Sequence, residues 1–245
     1  MRTSREKFQV WAGRDIEMRS TGGRVNTTHF QEVAAHISKM LNMNSNCHHV
    51  LDVGCDSGLV SRHVARLVNA LIGVDFIAEM VFDVKHIDTG SNTRFMVADG
   101  ASLPFRSQTF SRVYSYNVIH QMDSKEQGLS LIEEMIRVCQ PGGIVLVGDV
   151  PDRNKRWQYI SGELFSFKQP QFFYRWYRDI KRIATMGLKS VGGQKFELAR
   201  LPIWYDLQDL KHCFEERGFS CDLIDQVTPL PYWFYRTNLR IKIPK

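Results

Sequence analysis

The chain reads as a doubly wound α/β fold built on a seven-stranded, mostly parallel sheet, and three observations predict it. Apolar runs of strand length alternate with helical patterns of about ten to fifteen residues, the signature of successive βα units. A glycine-bearing turn, Asp52-Val-Gly54-Cys-Asp56-Ser-Gly58, follows the first apolar run and opens an amphipathic segment. Such strand–loop–helix turns let backbone approach a ligand at a helix N-terminus. Third, Pro141-Gly142-Gly143 separates a long helical pattern from the fifth apolar run, since neither residue type continues a helix.

The elements follow in order. Residues 1–45 form an N-terminal helical segment, periodic at Phe30, Val33, Ala34, Ile37 and Leu41. Strands are expected at 49–53, 71–75, 94–98, 113–119 and 143–148, with helices at 59–69, 77–87 and 125–139 between them. After an irregular stretch, 206–217 reads as a helix with Asp206 as its cap and Gly218 as its stop. Strands 219–225 and 238–243 end a single domain spanning residues 1–245.

Composition narrows the setting. A hydrophobic content of 43% with 24% charge suits a globular protein. No run of about 18 apolar residues is present to span a bilayer, and the first residues lack the apolar stretch of a signal peptide. Five cysteines (Cys47, Cys55, Cys139, Cys213 and Cys221) form no C-x-x-C pair, so reduced thiols in a cytoplasmic protein are expected, with no structural metal. His48 and His49 are adjacent in a strand and point to opposite faces, so they cannot chelate together.

In open α/β sheets ligands sit beyond the carboxyl ends of the strands, where the strand order reverses. Four segments meet that condition. The turn supplies Asp52, Gly54, Cys55, Asp56 and Gly58. Asp75 ends the second strand, 23 residues after Asp52, where a carboxylate can accept both hydroxyls of a ribose or can cap the next helix. Asp99-Gly100 follows the third strand, and Tyr116 through Met122 spans the end of the fourth, with Asn117 and His120 in it.

Together these segments resemble the class I S-adenosylmethionine-dependent methyltransferases, whose loop has the form (D/E)-x-G-x-G-x-G. Asp56 stands where the middle glycine usually sits, and Asp tolerates the left-handed backbone region that the turn requires. The resemblance covers roughly 47–150, resumes at 204–225, and is strongest to the small-molecule branch that includes ubiquinone and menaquinone methyltransferases. It implies the Rossmann-like sheet with an antiparallel seventh strand, and S-adenosylmethionine as cofactor. Carried over residue by residue, it implies that Phe76 and Met80 flank the adenine, that Asp99 and the Gly100 N–H read its edge, and that Asn117 faces the methionine part. His120 falls where many relatives carry a histidine. It is the candidate base for a hydroxyl or activated-carbon acceptor, or else a structural histidine on an apolar strand end.

The charge is uneven. Residues 151–200 hold 11 Lys/Arg against 4 Asp/Glu, and 10 of the chain's 28 aromatic residues. This basic stretch belongs to a helical insertion, 151–203, between the fifth and sixth strands. Within it, 171–186 forms an amphipathic helix with Phe172, Trp176, Ile180 and Ile183 on one stripe. It reads as a packed surface helix, as a lid on a pocket for an anionic small-molecule acceptor, or as a peripheral membrane contact reaching a lipid-linked one. A nucleic-acid methyltransferase is the competing enzyme reading, since basic and aromatic residues grip phosphates and stack bases. Against it, Tyr116-Asn-Val-Ile-His120 lacks the Asn/Asp-Pro-Pro-Tyr run of base-amino methyltransferases. A non-catalytic cofactor-binding protein is the competing reading outside enzymes, and the altered Asp56 is what keeps it open.

Overall fold

The computed structural model describes residues 27–44, 49–84, 90–159, 203–226 and 234–245. Seven strands form one sheet: β1 Val50–Val53, β2 Leu71–Asp75, β3 Thr93–Val97, β4 Phe110–Tyr116, β5 Cys139–Pro151, β6 Ser220–Asp225 and β7 Arg236–Lys242. Their order is β3-β2-β1-β4-β5-β7-β6. The first five strands pair in parallel, and β7 runs antiparallel to both β5 and β6. The doubly wound expectation and the antiparallel seventh strand are both met. The order reverses between β1 and β4, which places the ligand crevice at their carboxyl ends.

Helices cover both faces: α1 Thr27–Met40, α2 Ser61–Ala65, α3 Ala78–Asp83, α4 Lys125–Val138 and α5 Leu207–Glu216. The period of two along each strand divides the core. Val113 and Val145 face a cluster with Leu131, Ile132 and Met135 of α4 and Phe214 of α5. Their neighbours Tyr114, Ile144 and Leu146 face the opposite cluster, with Val33, Ile37 and Val64 of α1 and α2. In α4 the stripe Gly128, Leu131, Ile132, Met135 and Val138 is buried, at helical spacing, and the Ser124 hydroxyl accepts the Gln127 N–H at 3.3 Å to cap the helix. Asp206 caps α5 through the Asp209 N–H, and Gly218 ends it at φ +88°.

Some boundaries differ from expectation for local reasons. The fourth strand begins at Phe110 and stops at Tyr116 instead of spanning 113–119. Asn117 takes a left-handed φ of 66°, which breaks the extended run and sends Ile119–Gln121 into a 3₁₀ turn. β5 begins at Cys139, so the Pro141-Gly142-Gly143 stretch lies within the strand instead of before it. There the Gly142 N–H donates to the carbonyls of Ile243 and Pro244 at the chain end. α2 is shorter than the pattern at 59–69, and the end of the 77–87 pattern lies outside the described residues. Of the 151–203 insertion only the flanks are described, ending in a 3₁₀ turn at Arg153–Lys155 and a further helical turn to residue 159. The helix expected at 171–186 and most of the 1–45 segment lie outside the described residues.

One helix glycine is set by tertiary contact. A Cβ on Gly128 would stand 2.1 Å from the Tyr205 hydroxyl, which donates to the Ile119 carbonyl at 3.1 Å. Gly→Ala inside a helix ordinarily stabilises by up to about 1 kcal/mol. Gly128→Ala should instead destabilise by about 1–3 kcal/mol through overpacking. In urea melts, combining it with Tyr205→Phe should recover part of that loss.

Candidate active site

The turn after β1 is tied to β2 by hydrogen bonds. The Gly54 and Cys55 N–H groups both donate to the Val74 carbonyl, at 2.8 and 3.0 Å. Gly54 has φ +82°, and a Cβ there would lie 2.4 Å from a Val118 methyl, so the position admits no side chain. Asp56 has φ 49°, the left-handed conformation its residue type tolerates. Its N–H donates to Asp75 Oδ2 at 3.0 Å, while the Ile77 N–H donates to Asp75 Oδ1, also at 3.0 Å. One carboxylate thus joins the glycine turn to the start of α3.

Asp52 sits one level deeper. Its Oδ2 accepts from the Ser61 hydroxyl at 2.6 Å and the Tyr114 hydroxyl at 2.7 Å. Burial pushes the carboxyls of Asp52 and Asp75 each up to about 6, against the hydrogen bonds that favour the ionised forms. Burial also pushes the Cys55 thiol up, so it is not a nucleophile.

A cavity of about 630 Å³ opens over this turn, within the usual range for a small-ligand site. Asp52, Gly54, Cys55, Asp56, Asp75, Phe76, Met80, Asp99, Gly100 and Asn117 all line it. Two expected site residues do not. Gly58 turns the chain at φ +76°, and a Cβ there would stand 3.3 Å from the Phe95 ring. His120 is buried in the turn after β4, its Nε2 3.4 Å from Arg236 Nη1. Its Nδ1 has no hydrogen-bond partner among the described residues. Burial, then the Arg236 charge, hold its pKa well below the ordinary value. The imidazole is neutral, but its Nε2 faces Arg236 and not the cavity.

Other residues enter that the sequence reading passed over. His29 and Phe30 on the first turn of α1 line the cavity, as do Tyr116, Gln121 and Gln127. Phe30 was legible only as a core position. Behind Asn117 lies a buried group of Arg236, Asp149 and Gln226. A charged residue at the end of the apolar strand β5 was the available signal for Asp149. Among the described residues no His/Cys/Asp/Glu cluster could hold a metal, and no helix is long and apolar enough to cross a membrane.

Residues 51–147 match the family model described as a methyltransferase domain. Over this segment the chain is similar to methyltransferase domains. The chain is 34% identical over 111 residues to the Mus musculus protein named "Probable tRNA methyltransferase 9B", covering 44% of this chain and 24% of that one. It is 29% identical over 128 residues to a malonyl-[acyl-carrier protein] O-methyltransferase of Buchnera aphidicola, covering 50% of this chain and 49% of that one. The chain therefore spans from a quarter to a half of these relatives' lengths. In fold it is similar to the methyltransferase solved in complex with the Haloferax volcanii Trm112 methyltransferase activator, with a TM-score of 0.64, 16% identity and full coverage of both chains.

Both raised carboxyls make the fold sensitive to pH. Each folded-state pKa lies above the ordinary 3.8, so the folded chain holds these protons more tightly than the unfolded chain does. The stability this contributes is full below about pH 4 and is lost as pH rises through about 6. Urea unfolding of Asp75→Asn from pH 4 to pH 7 should show a shallower fall in stability than the wild type, and an equal fall would contradict the burial argument.

Proposed function

We propose that the chain is an enzyme that transfers a methyl group from S-adenosylmethionine to a small-molecule acceptor. The observation that carries this reading is Asp75. The Asp56 and Ile77 N–H groups hold one carboxylate oxygen each, and Asp75 lines the cavity beside the glycine turn. Asp75 accepts the ribose hydroxyls. The buried Met80 and the ring of Phe76 flank the adenine, while Asp99 and the Gly100 N–H take its polar edge. Asp99 is preset for that role, because its Oδ1 accepts the Ala101 N–H at 2.9 Å, which fixes the carboxylate. Gly54 to Asp56 run beneath the amino-acid part, where a side chain on Gly54 would close the passage to Val118.

S-adenosylmethionine, when bound, supplies a methyl group on a sulfonium that leaves by in-line displacement. The protein's work is then positioning and exclusion of water, which can supply roughly 7–11 kcal/mol through effective molarity. The acceptor lies against the wall formed by His29, Tyr116, Asn117 and Gln121. Burial lowers the pKa of His29, leaving a neutral imidazole at the cavity where His120 is turned away.

RNA is the second acceptor reading, favoured by the mouse relative and by the basic residues of 151–200. A protein activator is a partner reading, supported by the Haloferax complex and by Phe82, Met96 and Val97, exposed on and beside the edge strand β3. Peripheral membrane contact through 171–186 and a cytoplasmic location remain part of the proposal, on the sequence alone.

Two measurements test it. In calorimetric titration, S-adenosylhomocysteine should bind the wild type, and Asp75→Ala should weaken it about tenfold to a hundredfold, the worth of a hydrogen bond to a charged group. The wild-type affinity should fall as pH drops below about 6, where Asp75 takes a proton, and Asp75→Asn should abolish that dependence. Incubation with methyl-labelled S-adenosylmethionine and either a metabolite extract or total tRNA decides the acceptor. Label in the small-molecule fraction supports the first reading. Label confined to RNA replaces it with the second.

A further inference from the structure

A buried relay behind the cavity determines which way two of its polar side chains face. Arg236, at the start of β7, lies under the ends of β4 and β5. Its Nη1 is 2.9 Å from Asp149 Oδ2, 2.7 Å from the Asp149 carbonyl and 2.9 Å from Asn117 Oδ1. A guanidinium carries donors only. Asn117 must therefore turn its carbonyl oxygen to Arg236, which leaves its amide nitrogen on the other side. Gln226 repeats the logic one residue earlier on β4. Its Nε2 donates to Asp149 Oδ1 at 3.1 Å, an oxygen that only accepts when ionised, and to the Tyr116 hydroxyl. The Tyr116 oxygen thus accepts from Gln226, and its own hydrogen is left to donate elsewhere.

Asn117 and Tyr116 both line the cavity, and neither donates a side-chain hydrogen bond to any described residue. Asn117 and Asp149, the residues after Tyr116 and its partner Gly148 in the β4–β5 register, take left-handed φ values of 66° and 57°. Non-glycine residues hold that conformation where their surroundings over-determine it, and such sites cluster at ligand clamps. The Asn238 side chain adds a third tie, accepting the Asp149 N–H at 2.9 Å. The Arg236 charge is balanced by Asp149, so the donors offered to the cavity are neutral.

We infer that Arg236, Asp149 and Gln226 are positioning residues that present the Asn117 amide and the Tyr116 hydroxyl as paired donors to the cavity, forming a seat for a carboxylate of the bound ligands. Two donors suit a group whose oxygens only accept. Neutral donors also leave no unpaired buried charge when the seat is empty. The carboxylate can come from the amino-acid end of the methyl donor or from the methyl acceptor. The inference rests on the S-adenosyl reading of the cavity.

Titration calorimetry on the full chain separates these possibilities. The probes are S-adenosylhomocysteine, 5′-methylthioadenosine (which lacks the amino-acid part), and malonate added to protein saturated with S-adenosylhomocysteine. Asn117→Asp keeps the Arg236 contact and the side-chain size but replaces the donor with a negative oxygen. If the seat takes the methyl donor's carboxylate, this variant should lose at least tenfold for S-adenosylhomocysteine and bind methylthioadenosine like the wild type. If it takes the acceptor's, S-adenosylhomocysteine binding should hold while malonate binding disappears. Tyr116→Phe should weaken the same probe. Gln226→Glu, whose carboxyl oxygen draws the Tyr116 hydrogen back, should do likewise, a selective effect that a merely structural role would not give. The inference is overturned if the variants bind both carboxylate probes like the wild type. Equal loss of methylthioadenosine and S-adenosylhomocysteine overturns it too. A wild type that binds neither nucleoside removes the cofactor reading, and this inference with it.

Discussion

The site is organised by the Asp75 carboxylate, on which the N–H groups of Asp56 and Ile77 converge from opposite directions. That pair of bonds holds the glycine turn against the end of β2 and sets where α3 begins. Desolvation opposes the arrangement by penalising the charge, and the two N–H groups offset part of that penalty. A ligand offering hydroxyl donors would stabilise the ionised form further. Asp52, held by Ser61 and Tyr114, plays the neighbouring part by fixing the floor of the turn to α2 and β4.

The wall at the ends of β4 and β5 is built differently. There a chain of donors and acceptors runs from β7 through β5 to the end of β4, and the one strong charge pair in it, Arg236 with Asp149, is buried. Such a pair is a weak source of stability, because desolvation consumes much of its attraction. Its effect is orientational: an arginine beside an amide leaves the amide one way to face. It also explains why His120 is poorly placed as a base. The same guanidinium that orients Asn117 faces the imidazole Nε2, so the histidine packs behind the wall and does not line the cavity.

The altered middle position of the glycine turn keeps the backbone conformation of a glycine. Asp56 adopts the left-handed backbone that a glycine would, and its own N–H supplies one of the two clamps on Asp75. The departure from the family pattern is therefore absorbed by the backbone, leaving an added carboxylate at the cavity.

Much of this was legible in the chain. Seven strands, their parallel start, the helix at 125–139 and the cap at Asp206 follow from periodicity and residue type, which act over a few neighbours. The turn residues, Asp75 and the Asp99-Gly100 pair follow from spacing within single strand–loop–helix units. The early stop of β4 did not, because the left-handed Asn117 is held by Arg236, 119 residues further along. The roles of Tyr116, His29 and Gln226, and the turning of His120 away from the cavity, were likewise decided by contacts between β7, β5, β4 and α1. Sequence alone determined which elements form and which loops border the cavity, since those depend on local chemistry. Tertiary structure decided which side chains face that cavity and which atoms they offer, since a hydrogen-bond direction is set only when its distant partner is in place.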